Sequence, residues 1–575
     1  MKRRRAPHPG RTLGLTMVLV VLVGCGRVPG VSQTLIPEPV PIRAGRASPA
    51  GTYGAIDVLR YEVEIGLPAP GGHEITGRAD LLLTPVRTVD EAVLDFTGLA
   101  ITQVTVDAAA VRARLEEGRL HVPLVDVAPG DTARVTVVYR GTPDDGLILA
   151  DNVHGRPSAF VDNWPNRTRF WLPSVDHPSD KATFGVTVHA PEAWRVVSNG
   201  SGAEPVTGPA TEDGTPRRTW RWRTDVAVSP YNFVFGAAQM DVVPLGVAAC
   251  GRAPASPRGD GCVEVSAWLF PEDTGQASLS FRRAADMVEV YSDMIGPYPF
   301  EKLAHVESST RFGGMENASA IFYTEDGLAS GENMEGTVAH ETAHQWFGDS
   351  VTEVDWPELW LSEGFATYFG HLYFEWADGV EIFRTRMEES RREYLTSDVT
   401  GRPVIEARQD LFELLNSNNY PKGGWVLHML RGIVGDEAFF SGIRGYYAEH
   451  AGGNASTADL RAAMEAASGR ELGWFFEQWL RKPGYPVLEL EHRWDATAGE
   501  VVITLRQVQA PSWPTFRLPM ELEIQGADGT TTRHRVELSA RSQEVRIPAP
   551  AAPTAVVADP DGWVLKRMAG EQIRG

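Results

Sequence analysis

The strongest chemical signal in the chain is the segment His340-Glu341-Thr342-Ala343-His344. If the segment is helical, residues four apart share a face, so both imidazoles can reach one ion. Glu341, rotated by about 100° from His340, is turned toward the open side of that ion. A catalytic zinc takes three protein ligands and leaves the fourth position to water. Such a pentad also arises by chance. It gains weight from Glu363, which lies in Trp360-Leu361-Ser362-Glu363-Gly364-Phe365-Ala366 with eighteen residues between it and His344. A second helix folded back can bring Glu363 beside the two rings, and two His with one Glu is a hydrolytic zinc set. One Zn2+ per chain is expected at His340, His344 and Glu363, although ligand type sets only a preference over cobalt or manganese.

The elements that must carry these residues are legible around them. One helix is expected from about 333 to 347. A second starts near Asp355, with Glu358 three residues on as a capping box, and ends at Gly379. Phe281, Ala284, Ala285, Val288 and Tyr291 recur at helical spacing until Gly296-Pro297-Tyr298-Pro299 breaks the pattern. Helical patterns then continue to about Leu480. Before this region the alternation is that of strands, as in Tyr61-Glu62-Val63-Glu64-Ile65 and Ala133-Arg134-Val135-Thr136-Val137. The run 202–216 reads as an exposed loop. Strand patterns return after Pro483-Gly484-Tyr485-Pro486, as in Val501-Val502-Ile503-Thr504-Leu505. The expected fold is multidomain α+β: an N-terminal antiparallel β domain over 56–245, a mainly helical catalytic domain over 246–484 and a C-terminal β-sandwich over 485–575.

The composition of the 575 residues, 43% hydrophobic and 9% aromatic, is that of a globular chain. A formal charge of −21 argues against nucleic acid as a partner, because counterion release needs clustered Lys and Arg. The amino terminus departs from this acidity. Met1-Lys2-Arg3-Arg4-Arg5 precedes an apolar run from Leu13 to Val23, too short to span a bilayer, which reads as an export signal over 1–24. Leu22-Val23-Gly24-Cys25 resembles a bacterial lipobox, in which Cys25 is lipidated and anchors the chain to a membrane. The stretch 25–55, with Pro37, Pro39 and Pro41, reads as a tether. An exported, lipid-anchored protein on the periplasmic or cell-surface side is expected. Cys250 and Cys262 remain, close in sequence around a polar loop. One local disulfide is the expectation in an exported chain, and two buried thiols are the alternative.

Upstream of the pentad, Phe312-Gly313-Gly314-Met315-Glu316-Asn317 is similar to the Gly-x-Met-Glu-Asn exopeptidase motif of the aminopeptidase N family, which includes the leukotriene hydrolase and belongs to the gluzincins. Gly296 to Leu303 resembles the stretch preceding that motif. Tyr420-Pro421-Lys422-Gly423 resembles the family's Tyr-x-Lys-Gly segment, and Trp474 to Pro486 the end of its catalytic domain. The resemblance implies a thermolysin-like catalytic domain and a zinc-dependent aminopeptidase acting on peptides with a free amino terminus. It implies Glu341 as general base, Tyr420 as a catalytic hydroxyl for the oxyanion and Glu316 as acceptor of the substrate ammonium. Gly313, Gly314, Met315 and Asn317 form the remainder of the substrate-binding segment. An endopeptidase on the same site, or a catalytically silent lipid-anchored binding protein, are the alternatives.

Two departures from the family stand out. Its second amine anchor, a Gln or Glu nine residues before a proline, falls here on Trp164, with Asp162 and Asn163 as nearby substitutes. After Pro486 the chain reads as strands, where some relatives carry a large helical domain that closes over the site. The basic residues used by the leukotriene hydrolase lie in that helical domain and have no counterpart here.

Overall fold

The computed structural model describes residues 54–573. The export signal, Cys25 and all but the last two residues of the 25–55 tether lie outside the described residues. Among the described residues no helix is long and apolar enough to cross a membrane.

Strand β1 (Ile56–Gly66) shows how the first domain is built. Val58, Tyr61, Val63 and Ile65 point into the core while Glu62 and Glu64 face out, with one bulge near Val58 that keeps the alternation in phase. It lies in an eight-stranded sheet, accompanied by smaller sheets of four and three strands. The pairing is antiparallel almost throughout. The exception is β1 itself, which runs parallel to β2 (Ala182–Pro191), with Glu64 opposite Thr187. The expectation of a loop over 202–216 is corrected in part. Ser201–Thr207 forms an edge strand on Arg217–Val228. Its side chains are almost all exposed, so no apolar alternation marks it in the sequence.

The second region is organised on a five-stranded mixed sheet. Strands β3 (Asp241–Ala248), β4 (Val263–Leu269), β5 (Leu303–Ser308), β6 (Gly314–Met315) and β7 (Ala320–Thr324) lie in the order β3-β4-β5-β7-β6. The three central strands are parallel and the two edges antiparallel. Cys250 and Cys262 are disulfide-bonded in the loop between β3 and β4. Helix α1 (Ala284–Met294) packs against α2 (Glu335–His344) and α3 (Trp360–Asp378), and the Tyr291 hydroxyl donates to the Ala339 and Phe369 carbonyls. Phe347, just past α2, packs at a tilt against Phe365 and Phe369 of α3 and joins the two helices.

The capping box expected at the start of α3 does not form. The Asp355 carboxylate accepts the Trp356 N–H, but Glu358 takes the Thr457 N–H and hydroxyl instead of reaching back to Asp355. A tertiary partner thus outcompetes the local one. Gly379, with φ 94°, ends α3 as expected, and α4 (Val380–Thr396) follows directly.

Beyond α5 (Gly423–Val434) three further helices lead to Leu480, and the chain then enters two sheets of four and three strands. Ile503, Leu505 and Leu522 are among their buried side chains. The two domain junctions differ in kind. Asn199, Asn232, Ser319 and Gln345, all buried, weave the first junction together. The second is lined by two open cavities of about 740 and 420 Å³. His428 stacks on Trp563 across it, and Arg391 pairs with Glu571.

Candidate active site

Helix α2 is short and buried on nearly every side, and it presents His340 and His344 one turn apart on one face. Their Nε2 atoms lie 3.0 Å apart, and each is 3.3 Å from one oxygen of Glu363 on α3. Donors bound to a tetrahedral zinc at its usual bond lengths stand about 3.3 Å from one another, so this triangle fits that ion. The far nitrogen of His344 is held by the Phe347 carbonyl and the Ser362 hydroxyl, both at 3.0 Å. Anchored there, the ring turns its Nε2 toward Glu363.

The second oxygen of Glu363 receives the Tyr420 hydroxyl at 2.7 Å. Tyr420 sits in a π-helical turn, Asn418–Lys422, that contains Pro421. Such turns re-aim side chains at functional sites. The turn is pressed against α3 where Gly364 faces Gly423: a Cβ on either residue would meet the other's Cα at 2.8 Å. That contact fixes the spacing between Glu363 and Tyr420.

Glu341 lies beside the triangle, its carboxylate within 4.8 Å of the histidine donors. It rests on the edge strand β6, where a Cβ on Gly314 would meet the Glu341 carboxylate oxygen at 2.2 Å. Gly314 therefore lets the backbone run past the carboxylate. Gly313 faces open space, while Met315 and Asn317 are buried. Glu316 follows immediately. Burial, reinforced by the charge of Glu363, raises its carboxyl to about 7 against the pull of His344. Burial and the neighbouring carboxylates likewise push Glu341 well up. Glu363 is held at about 2, because its hydrogen bonds to the two histidines outweigh burial. So many carboxylates around two imidazoles make a site whose chemistry calls for a divalent cation.

The loop carrying Glu316 is positioned by residues the sequence reading did not single out. Gln345, next to His344, donates to the Glu316 carbonyl at 2.8 Å and accepts the Ser319 N–H at 2.7 Å. From the first domain, Asn232 accepts the Ala318 N–H and Asn199 donates to the Ala318 carbonyl. A glutamine on the buried face of a helix was a visible signal. The two asparagines sit in irregular segments with no pattern to find.

Two family models match the chain in order: the Peptidase M1 N-terminal domain over residues 59–231 and the Peptidase family M1 domain over 280–479. The chain belongs to peptidase family M1. An aminopeptidase N of Streptomyces lividans is 30% identical to this M1 chain over 517 residues, covering 86% of this chain and 54% of its own. A probable aminopeptidase 2 of Sulfurisphaera tokodaii is 26% identical, covering 70% of this chain and 51% of its own. The chain spans about half the length of the curated relatives it matches. Among solved structures, an M1 zinc metallopeptidase from Deinococcus radiodurans superposes with a TM-score of 0.63 at 26% identity, over 74% of this chain and 93% of that one. A two-domain M1 zinc metallopeptidase variant bound to L-tryptophan gives 0.64 at 25% identity, over 74% and 94%.

This M1 chain resolves the question of Asp162 and Asn163. Asp162 is fully buried and forms an ion pair with Arg167 at 2.9 Å. Asn163 donates to the Phe233 carbonyl and accepts the Trp171 indole N–H. Both are committed to the interior. Trp164, before a cis proline, packs edge-on against Phe312, Trp356 and Phe412. An aromatic wall thus stands where a second polar anchor was sought.

Proposed function

We propose that the protein is a zinc-dependent aminopeptidase that removes residues one at a time from peptides with a free amino terminus. The observation that carries this reading is the placement of Glu316. Its buried carboxylate follows edge strand β6 and lies close enough to His344 and Glu363 for their charges to act on it. A peptide paired along β6 would offer its ammonium to Glu316, and that charge-assisted contact stops the chain after one residue.

Zinc, held by His340, His344 and Glu363, would supply the Lewis acidity that activates water and polarises the scissile carbonyl. Glu341, against Gly314, is placed to accept the proton of the attacking water and to pass it to the leaving amine. The Tyr420 hydroxyl, now donating to Glu363, is placed to turn its proton toward the developing oxyanion. Trp164 packs edge-on against Phe312, next to Gly313, and as a wall of the cleft the pair would favour large uncharged first side chains.

The decisive comparison uses aminoacyl p-nitroanilides and their N-acetylated analogues, with Glu316→Ala alongside. Hydrolysis confined to free amines, and lost in the variant, supports an exopeptidase. Equal cleavage of blocked peptides would instead establish an endopeptidase on the same zinc site. Lipidation of Cys25 and attachment to the outer side of a bacterial membrane complete the proposal. They rest on the lipobox-like Leu22-Val23-Gly24-Cys25. Cys25→Ala should move the protein from the membrane to the soluble fraction and abolish labelling by radioactive palmitate.

A further inference from the structure

Far along the chain from the zinc triangle, three donors of different origin meet. His154 belongs to the loop between strands Leu147–Asp151 and Pro157–Val161 of the first domain. Asp273 lies in the turn after β4, and Glu307 lies on β5 at the centre of the catalytic sheet. One ligand atom from each falls within 4.8 Å of the others, and His154 Nε2 is hydrogen-bonded directly to an Asp273 oxygen, a contact that a bound ion would have to part. Glu307 is fully buried. One of its oxygens accepts the Phe270 N–H at 2.7 Å, and the other has no hydrogen-bond partner. A buried carboxylate oxygen without a donor is costly, and a cation at this point would satisfy it.

The surroundings favour a cation further. Burial and the two acids Asp273 and Glu325 raise the Glu307 carboxyl to about 9, so without a positive partner it carries a proton toward Asp273. Arg156, the basic residue of the same loop, is drawn away to Glu272. The loop is already shaped: the Asn152 side chain accepts the His154 and Arg156 N–H groups, and Glu325 accepts the Val153 N–H at 3.0 Å. His154 and Asp273 keep some exposure, 24% and 11% of their side chains, so an ion has a route from solvent. Phe270, edge-on to His154, closes the opposite wall.

We propose that His154, Asp273 and Glu307 bind a second divalent cation, which clips the first domain to the catalytic sheet. One imidazole and two carboxylates suit zinc or manganese, whereas an imidazole is a poor ligand for magnesium or calcium. The site shares no residue with the zinc triangle, and the inference stands whatever the peptidase proves to cleave. The rival arrangement is a proton shared between Glu307 and Asp273, which needs no ion.

Metal content of the full chain, after equilibration with Zn2+ or Mn2+ and removal of free metal, separates the two. The expected result is two equivalents per chain for the native protein and one for each of His154→Ala, Glu307→Gln and His340→Ala. Addition of Zn2+ should raise the melting temperature of His340→Ala, and this rise should vanish in His340→Ala/His154→Ala. His154→Ala changes only a partly exposed loop residue and guards against misfolding of Glu307→Gln. A single equivalent in the native protein, or two retained in His154→Ala, would overturn the proposal. So would a metal-independent gain in melting temperature for Glu307→Gln, the result a shared proton predicts.

Discussion

The two domain junctions of this chain solve the same problem differently. At the first, Asn199, Asn232, Ser319 and Gln345 are buried to within a few per cent and exchange hydrogen bonds at 2.7–2.9 Å. At the second, Arg391 meets Glu571, their side chains 13% and 29% exposed, beside cavities of about 740 and 420 Å³. A buried network of this kind resists rearrangement, because breaking any of its bonds strands a polar group away from water. An ion pair that water can reach gives way at less cost. The difference marks which neighbour takes part in the chemistry. The first domain sets the loop that carries Glu316, and the last domain supports the catalytic helices from outside.

Substitutions should break this contrast in order of size. Glu341→Gln removes the proton acceptor and should lower kcat about 10³-fold with zinc content unchanged, measured by reporter hydrolysis and metal analysis. Asn232→Ala strands the buried Ala318 N–H, costing about 1–3 kcal/mol. A loss of about tenfold in kcat/KM for free-amine reporters should accompany it, with a clear drop in melting temperature. If Asn232→Ala leaves both unchanged, the first junction is not what places Glu316.

The second junction should respond to acid. Burial holds the His428 imidazole down at about 3, between Tyr368 and Gly562. An unfolded histidine takes up its proton near 6.5, well before the folded one. Stability from this group is therefore full above about pH 6.5 and lost as the pH falls toward 3, by up to about 1.4 kcal/mol per pH unit. His428→Phe should flatten that slope in denaturant titrations between pH 6.5 and 4. The smallest effect belongs to Arg391→Ala, which removes pairs with Glu388 and Glu571 at the junction edge. It should shift the melting temperature by a few degrees at most and leave kcat within twofold.

The helices and the residues that meet between them were readable in the sequence because their signals are local. The His-x-x-x-His spacing requires a helix, and the Gly379 stop needs only its own backbone. What escaped is tertiary. Glu358 satisfies every local rule for a capping box yet bonds Thr457, and nothing near Asn199 or Asn232 reveals that both hold residue 318. Ser201–Thr207 pairs as an edge strand with hardly an inward side chain to announce it. Trp164 was visible as a departure, but only the geometry shows Asp162 and Asn163 already engaged elsewhere.

The facing glycines at 364 and 423 carry a consequence for how such a chain can change over generations. Neither position can take a methyl group unless the other backbone retreats, and a retreat would drag the Glu363 carboxylate away from the Tyr420 hydroxyl. Two small residues are thereby denied independent drift, because a change at one calls for a matching shift in the backbone that carries the other.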